Sequence, residues 1–258
     1  MVPSHDRPTE DELREWIARA WQLLADAETY EIRAEAADRF RFLWGLCAQA
    51  IRYATAWSSL SRSEHRRESD VLARSALEHA LTAQWCHFTP DGVKRLQVKV
   101  QKEHYGYFSQ MAEWQHLNET KEALQGQTPP APSGDGSLPN FNGKIIPLLD
   151  SDNFLAASYR ALSRSVHVND STVLSFLVPD GAGLAVTAAP DSGDGYPAAY
   201  VAATSALLAL AVIADHLSQD TLLRQLNDVS NGLQLVMFLN QERNDRMQQQ
   251  YDGKPPPE

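Results

Sequence analysis

The side chains in this chain whose types and spacing could do chemistry together lie between Tyr159 and Asp170. On a helix of 3.6 residues per turn, Arg160, Ser163, Arg164 and His167 fall at i, i+3, i+4 and i+7 and form one polar stripe. Leu155, Leu162 and Val166 fall on the other side. Two turns of rise separate Arg160 from His167, roughly 10 Å, a gap that a long Arg side chain largely closes. Gathering a guanidinium, a hydroxyl and an imidazole is costly unless something anionic or acidic sits opposite them. A nearby carboxylate would hold His167 protonated, whereas exposure would leave it titrating near neutrality. Asn169, just beyond, is a supporting polar residue. The plainer alternative is a helix end at which Arg164 and His167 offset the dipole and bond the last carbonyls.

Other groups join or compete with this stripe. Arg74 and Glu78 stand one helical turn apart, with Leu81, Trp85 and Phe88 continuing their face. They read either as a surface i,i+4 pair or as an interior pair in which Glu78 meets Arg160 or His167. Lys94, Arg95, Lys99 and Lys102, opposed by Glu103 and followed by Tyr105, Tyr107 and Phe108, form the one clearly basic helical stretch. That stretch is either a solvated face or a surface for RNA phosphates. Glu113 and His116 match the Glu-x-x-His unit of helical di-metal oxidases, but the chain holds no second such unit. Walker A, Gly-x-Gly-x-x-Gly, Gly-x-Ser-x-Gly, Cys-x-x-Cys and His-Glu-x-x-His patterns are all absent from the sequence. No metal site or cofactor is expected on this reading.

The Arg-x6-His spacing from Arg160 to His167, with helices before it, resembles the HEPN superfamily of nucleotide-binding helical domains. The wider pattern is similar to an uncharacterised bacterial family related to it. Arg74 to Glu78, Tyr159 to Ser163 with Val166 and His167, and the strand-like segment beyond carry the likeness, over roughly residues 64–236. Many HEPN domains are metal-independent ribonucleases that work as dimers, with two such motifs facing across the interface. The resemblance implies that His167 is the proton-transfer group and Arg160 the electrophilic stabiliser. Attack of a 2′-hydroxyl on its neighbouring phosphate needs a base near neutral pH and a cation beside the developing charge. The residue after Arg160 is Ala161, where active members usually carry a polar side chain. The expectation is RNA cleavage in a toxin or antiviral-defence setting, by a homodimer that pairs through the helix face near Arg160 and His167. One alternative is a non-catalytic module that holds a nucleotide, a small anion or a partner protein in the same pocket. A metal-dependent helical oxidase is the second.

The elements that must position these residues are helical almost throughout, so the expected class is an all-α, HEPN-like bundle with one short β-hairpin. Thr9 to Glu12 is a capping box, followed by a stripe of Leu13, Trp16, Ile17, Ala20 and Leu24. A second helix starts near Ala37, and Ser61 to Glu64 offers a capping box for a third, which stops near Pro90. A fourth is expected from about Gly92 to Leu124, with Val93, Leu96, Val100, His104, Tyr107, Met111 and Trp114 as its buried seam. Residues 1–125 thus form an amino-terminal half, and the Pro/Gly-rich stretch 126–143 is a surface loop or linker. The carboxy-terminal half, 144–240, joins the same core. It begins with a helix near Asp152 to His167. A hairpin is expected at 173–187, with Pro179 to Gly183 as its turn. An apolar helix from about Pro197 to Ser218 and a last helix capped by Asp220 complete this half, and residues 241–258 form a polar tail.

Composition bounds the partners. The 258 residues carry a formal net charge of −10, so the overall field does not favour nucleic acid or an anionic membrane, and RNA contact would need a local basic patch. Hydrophobic content of 43% with 22% charged residues is that of a globular protein. Cys47 and Cys86 sit in apolar helical patterns and read as buried free thiols. The first residues lack a signal-peptide pattern, and cytoplasm is the expected compartment. Tyr196 to Ala214 is free of charge, but it is Ala-rich and has no flanking Lys or Arg. It reads as a buried central or dimer-interface helix rather than a membrane span.

Overall fold

The computed structural model describes residues 7–115, 145–149, 154–166, 174, 176–180, 183–187 and 195–239. Within them the chain is all-α with a single two-stranded hairpin. The helices are α1 (Glu10–Ala25), α2 (Ala37–Leu60), α3 (Arg66–Phe88), α4 (Gly92–Trp114), α5 (Phe154–Val166), α6 (Tyr196–Ala214) and α7 (Thr221–Leu233). The strands are β1 (Leu177–Asp180) and β2 (Gly183–Val186).

The organising element is α6. A helix that is apolar all round must be covered all round, and α6 is packed against α1, α2, α3, α5 and α7. From Val201 to Ala214 every one of its residues is buried. It is the one described helix long and apolar enough to cross a membrane, and here five helices of its own chain cover it. Alanine at 198, 199, 202, 203, 206, 209, 211 and 214 leaves room for neighbouring helices to approach closely. The core formed around it is continuous, with Leu13, Ile17, Leu43, Ile51, Leu77, Leu81, Leu207 and Leu210 fully buried. Cys47 and Cys86 lie inside it as free thiols, and burial pushes both upward in pKa, Cys86 to about 12.

Polar side chains tie the layers together. Trp16 donates from Nε1 to Ala203 O at 3.0 Å, joining α1 to α6. Gln84, fully buried on α3, donates to Leu208 O at 2.8 Å and to Met237 O at 3.1 Å, and accepts from Leu239 N at 3.2 Å. Arg39 reaches from α2 to donate to Cys86 O at 2.9 Å and to His87 O, satisfying the open carbonyls at the end of α3. Directly beyond, Asp91 takes a left-handed conformation (φ 58°) and Gly92 starts α4. A Cβ at Gly92 would stand 2.7 Å from Cys86 Cα, so glycine is what allows α4 to turn back this tightly on α3.

Local signals met mixed outcomes. The Thr9 capping box forms in full, with Glu12 N on the Thr9 hydroxyl and Thr9 N on the Glu12 carboxylate. The Ser61 box does not form: α3 begins at Arg66, and Ser61 closes α2 instead. The Ser61 hydroxyl is taken by Arg14, which donates to it at 2.8 Å and to Ser58 O at 2.9 Å, a tertiary contact that outcompetes the local cap. Asp220 occupies the position before α7 but makes no side-chain cap. The hairpin pairs Leu177 with Val186 and Asp180 with Gly183, so Pro179 and Asp180 belong to the strand rather than the turn. With two strands both are edges, which is where a proline can be tolerated. The 126–143 and 241–258 segments lie outside the described residues.

The largest departure concerns α4. Of its expected buried seam Leu96 is buried and Val93 and Met111 are half-buried, while Val100, His104, Tyr107 and Trp114 are exposed. The helix packs on α3 and α2, and Ala112 near its end is buried as well, so one face of α4 stays covered while Val100, His104, Tyr107 and Trp114 stand exposed on another.

Candidate functional site

The polar stripe identified in the sequence sits on α5, an amphipathic helix docked on α3 and α6. Leu155, Ser158, Tyr159 and Leu162 face inward, and Arg160 and Arg164 stand exposed on the outer face. Ser163 is half-buried and donates its hydroxyl back to Tyr159 O at 2.8 Å, a bond within its own helix. His167 and Asn169 lie outside the described residues, so the described part of the stripe is Arg160, Ser163 and Arg164.

Arg74 and Glu78 are paired: Arg74 Nε donates to Glu78 Oε1 at 3.0 Å, and both side chains are partly buried between α3 and α5. The group that meets Glu78 from the second half is Tyr159, not Arg160. The Tyr159 hydroxyl donates to the same Oε1 at 2.7 Å, and the Arg74 guanidinium lies over the Tyr159 ring, 5.4 Å from its centroid. At about 100° per residue Arg160 falls about 200° from both Ser158 and Leu162, so the docking that turns Leu155, Ser158, Tyr159 and Leu162 inward leaves Arg160 on the outer face. Burial, and then the hydrogen bond to the Glu78 carboxylate, hold the Tyr159 phenol above its usual range and keep it a donor at neutral pH. One more bond stiffens this region, from the Thr82 hydroxyl to Glu78 O at 2.7 Å. The result is a half-buried Arg–Glu–Tyr brace directly beneath the face that carries Arg160. Glu78 and Tyr159 are 81 residues apart, and no local pattern marks them as partners.

The basic stretch on α4 does not form one surface. Arg95 is only 9% exposed and lies over the Trp85 ring, because the first turns of α4 are pressed against α3. It is therefore turned inward rather than toward a phosphate. Lys94 pairs with Asp91 at 2.9 Å and Lys99 with Glu103 at 3.7 Å, which offsets the local positive charge, and Lys102 is exposed. His79 bonds Ser75 O at 2.8 Å and meets Tyr53 edge-on, as a structural histidine does. His116 of the Glu-x-x-His unit lies outside the described residues, and among those described no three His, Cys, Asp or Glu side chains come together as a ligand set.

A second polar cluster carries no signal in the sequence. His87, at the end of α3, meets Asp215 just past α6, Nε2 to Oδ2 at 2.9 Å. Its ring lies 4.8 Å from that of His216, which bonds Val212 O at 2.7 Å and is enclosed with Phe40. A carboxylate cannot donate, so Nε2 of His87 carries the proton. The His87 bond holds Asp215 below the usual carboxylate range, and burial holds His216 below that of a free imidazole. Around this cluster the 31–33 segment bridges to 216–218, through Arg33 N on His216 O at 3.0 Å and Ser218 N on Glu31 O at 2.8 Å. This arrangement reads as a tie between chain segments.

Comparison with protein-family models, with curated proteins and with solved structures gives no match for this chain. The functional reading therefore rests on the geometry of α3 and α5 and on the pattern of the sequence.

Proposed function

We propose that this protein acts on RNA at the outer face of α5 and cleaves it without a metal, in the manner implied by the HEPN resemblance of the Arg160 to His167 motif. The observation that supports this reading is the exposure of Arg160 on a helix held rigidly from beneath by the Tyr159–Glu78–Arg74 brace. A guanidinium on a fixed support can meet the developing charge on a phosphate with little reorganisation. In the proposed reaction the strand's own 2′-hydroxyl attacks the adjacent phosphorus while His167 takes its proton. The bond from phosphorus to the 5′-oxygen breaks, that oxygen takes a proton from water and leaves as a 5′-hydroxyl, the product is a 2′,3′-cyclic phosphate, and Arg160 bonds the non-bridging oxygens. A toxin or antiviral-defence role belongs to the same proposal.

A binding-only role has specific support as well. Lys94 and Lys99 are paired with Asp91 and Glu103, and Arg95 is buried, which leaves little basic surface on α4 for a long strand. One experiment separates the two. Labelled single-stranded RNA is incubated with the full chain in excess chelator, and both cleavage and binding are measured. The ribonuclease reading expects cleavage that is lost in His167→Ala with folding intact, and weaker cleavage in Arg160→Ala. Binding or thermal stabilisation without any product, weakened by Arg160→Ala, supports the module that only binds. If neither RNA nor nucleotides bind, both readings fail.

A further inference from the structure

We propose that the exposed face of α4 is the surface on which two copies of this chain associate, as an antiparallel helix pair. The inference does not depend on the RNA reading, and it moves the contact between copies from α5 to α4.

From Val100 onward the seam of α4 runs Val100, His104, Tyr107, Met111, Trp114, with steps of four, three, four and three, and Gln97 continues it backward by three. That is the spacing of a helix meant to lie along another helix over several turns. Among the described residues the body covers the start of this seam and half-buries Met111. Trp114 is 72% exposed, Tyr107 59%, Val100 52%, and the flanking Phe108 41%. A helix face meant for water alone would be polar, yet beside the face that buries Ala112 this one carries a regular stripe of apolar and aromatic side chains that the described residues leave exposed.

The area is sufficient. Taking about 200 Å² for an aromatic side chain, the three rings leave roughly 350 Å² exposed per copy. That is the scale of the largest apolar patch on a typical monomer, which is often a functional one. Two copies bring roughly 700 Å² from the rings alone. Val100, Met111 and the stems of the flanking glutamines raise this to about 1,000 Å², where specific interfaces begin.

Size and charge indicate which partner fits. Antiparallel pairing sets Val100 of one copy opposite Met111 of the other, His104 opposite Tyr107, and Gln97 opposite Trp114. Large side chains thus meet smaller ones, which is how packed layers interdigitate. Parallel pairing would stack Trp114 on Trp114 and bring Lys94, Lys99 and Lys102 of both copies together. In the antiparallel arrangement that lysine-bearing half runs past residues 105–115, which contain Glu113 and no Lys or Arg. The chain's own following stretch, 116–144, is a poor match for the seam. It holds four prolines, and its only large aliphatic or aromatic residues are Leu117, Leu124, Leu138 and Phe141.

The test is the mass of the full chain in solution, by sedimentation velocity or light scattering up to about 100 µM, since association depends on concentration. The expected mass is twice the chain's 28.7 kDa. Tyr107→Glu and Trp114→Glu should each return it to the single-chain mass with native helical circular dichroism. Phe42→Glu, at a ring on α2 that is likewise 50% exposed, should leave the pair intact. Should the Glu variants fail to fold, a chain carrying both His104→Cys and Tyr107→Cys keeps the question open to test. Oxidation must lock it into a covalent dimer, because Cys47 and Cys86 are buried and take no part. A wild-type mass of 28.7 kDa at every concentration, pairing that survives both Glu variants, or no covalent dimer from the double-Cys chain overturns the proposal.

Discussion

Replacing Tyr159 by Phe removes one hydroxyl from the brace between α3 and α5, and the loss can be worked out from the contacts. The hydroxyl donates at 2.7 Å to the Glu78 oxygen that also accepts from Arg74 at 3.0 Å. A hydrogen bond to a charged acceptor contributes about 1.5–3 kcal/mol, and partial exposure moves this toward the lower end. Arg74 and Glu78 are 21% and 29% exposed, so water can reach both, and Tyr159→Phe should cost about 1–1.5 kcal/mol. Glu78→Ala should cost more, about 2–3 kcal/mol, because it leaves a phenol that is only 6% exposed without its acceptor. Once that acceptor is gone the hydroxyl has nothing to lose, so the double variant should be less unstable than the sum of the two. The expected coupling is about 1–1.5 kcal/mol, read from urea unfolding followed by circular dichroism at pH 7. It should largely persist at high salt, since a half-buried hydroxyl–carboxylate bond is screened far less than a surface ion pair. Additivity to within about 0.3 kcal/mol would refute the brace and, with it, the support claimed for Arg160.

Three further outcomes follow from contacts elsewhere. Gln84→Leu keeps the volume but strips partners from Met237 O and Leu239 N, and should cost about 2–4 kcal/mol, with faster hydrogen exchange over residues 235–239. Stability should fall on acidification in two stages. His216 is held neutral in the fold below its ordinary 6.5, so the unfolded chain takes up a proton first as pH falls through that value. Asp215, held below its ordinary 3.8, contributes stability above that value and loses it as pH falls through its lowered one. Urea midpoints from pH 7.5 to 3 check both, and His216→Gln should flatten the upper stage. Gly45→Ala, in mid-α2 with open space where the Cβ would sit, should stabilise by about 0.5–1 kcal/mol in the same unfolding assay.

Much of the fold was legible because it is written in local periodicity. The Thr9 box, the starts of α2 and α4, and the uncharged α6 each follow from spacing or capping within a few residues. Periodicity says which side of a helix is apolar, but not what lies against it. The seam of α4 is continuous from Val93 to Trp114, and only packing decided that Leu96 is buried while Val100, His104, Tyr107 and Trp114 stay exposed. The Ser61 box was plausible on the same local grounds, and Arg14, from 47 residues earlier, took its hydroxyl. At the candidate site the sequence by itself determined that Arg160, Ser163 and Arg164 share one side of a helix and that Arg74 and Glu78 form a pair. Tertiary structure decided that Tyr159 reaches Glu78, that Arg160 turns outward as a consequence, and that His87 meets Asp215 across 128 residues. A helix carries its own hydrogen bonds and so announces itself locally, whereas a partner brought from the far end of the chain is chosen by the docking of whole helices.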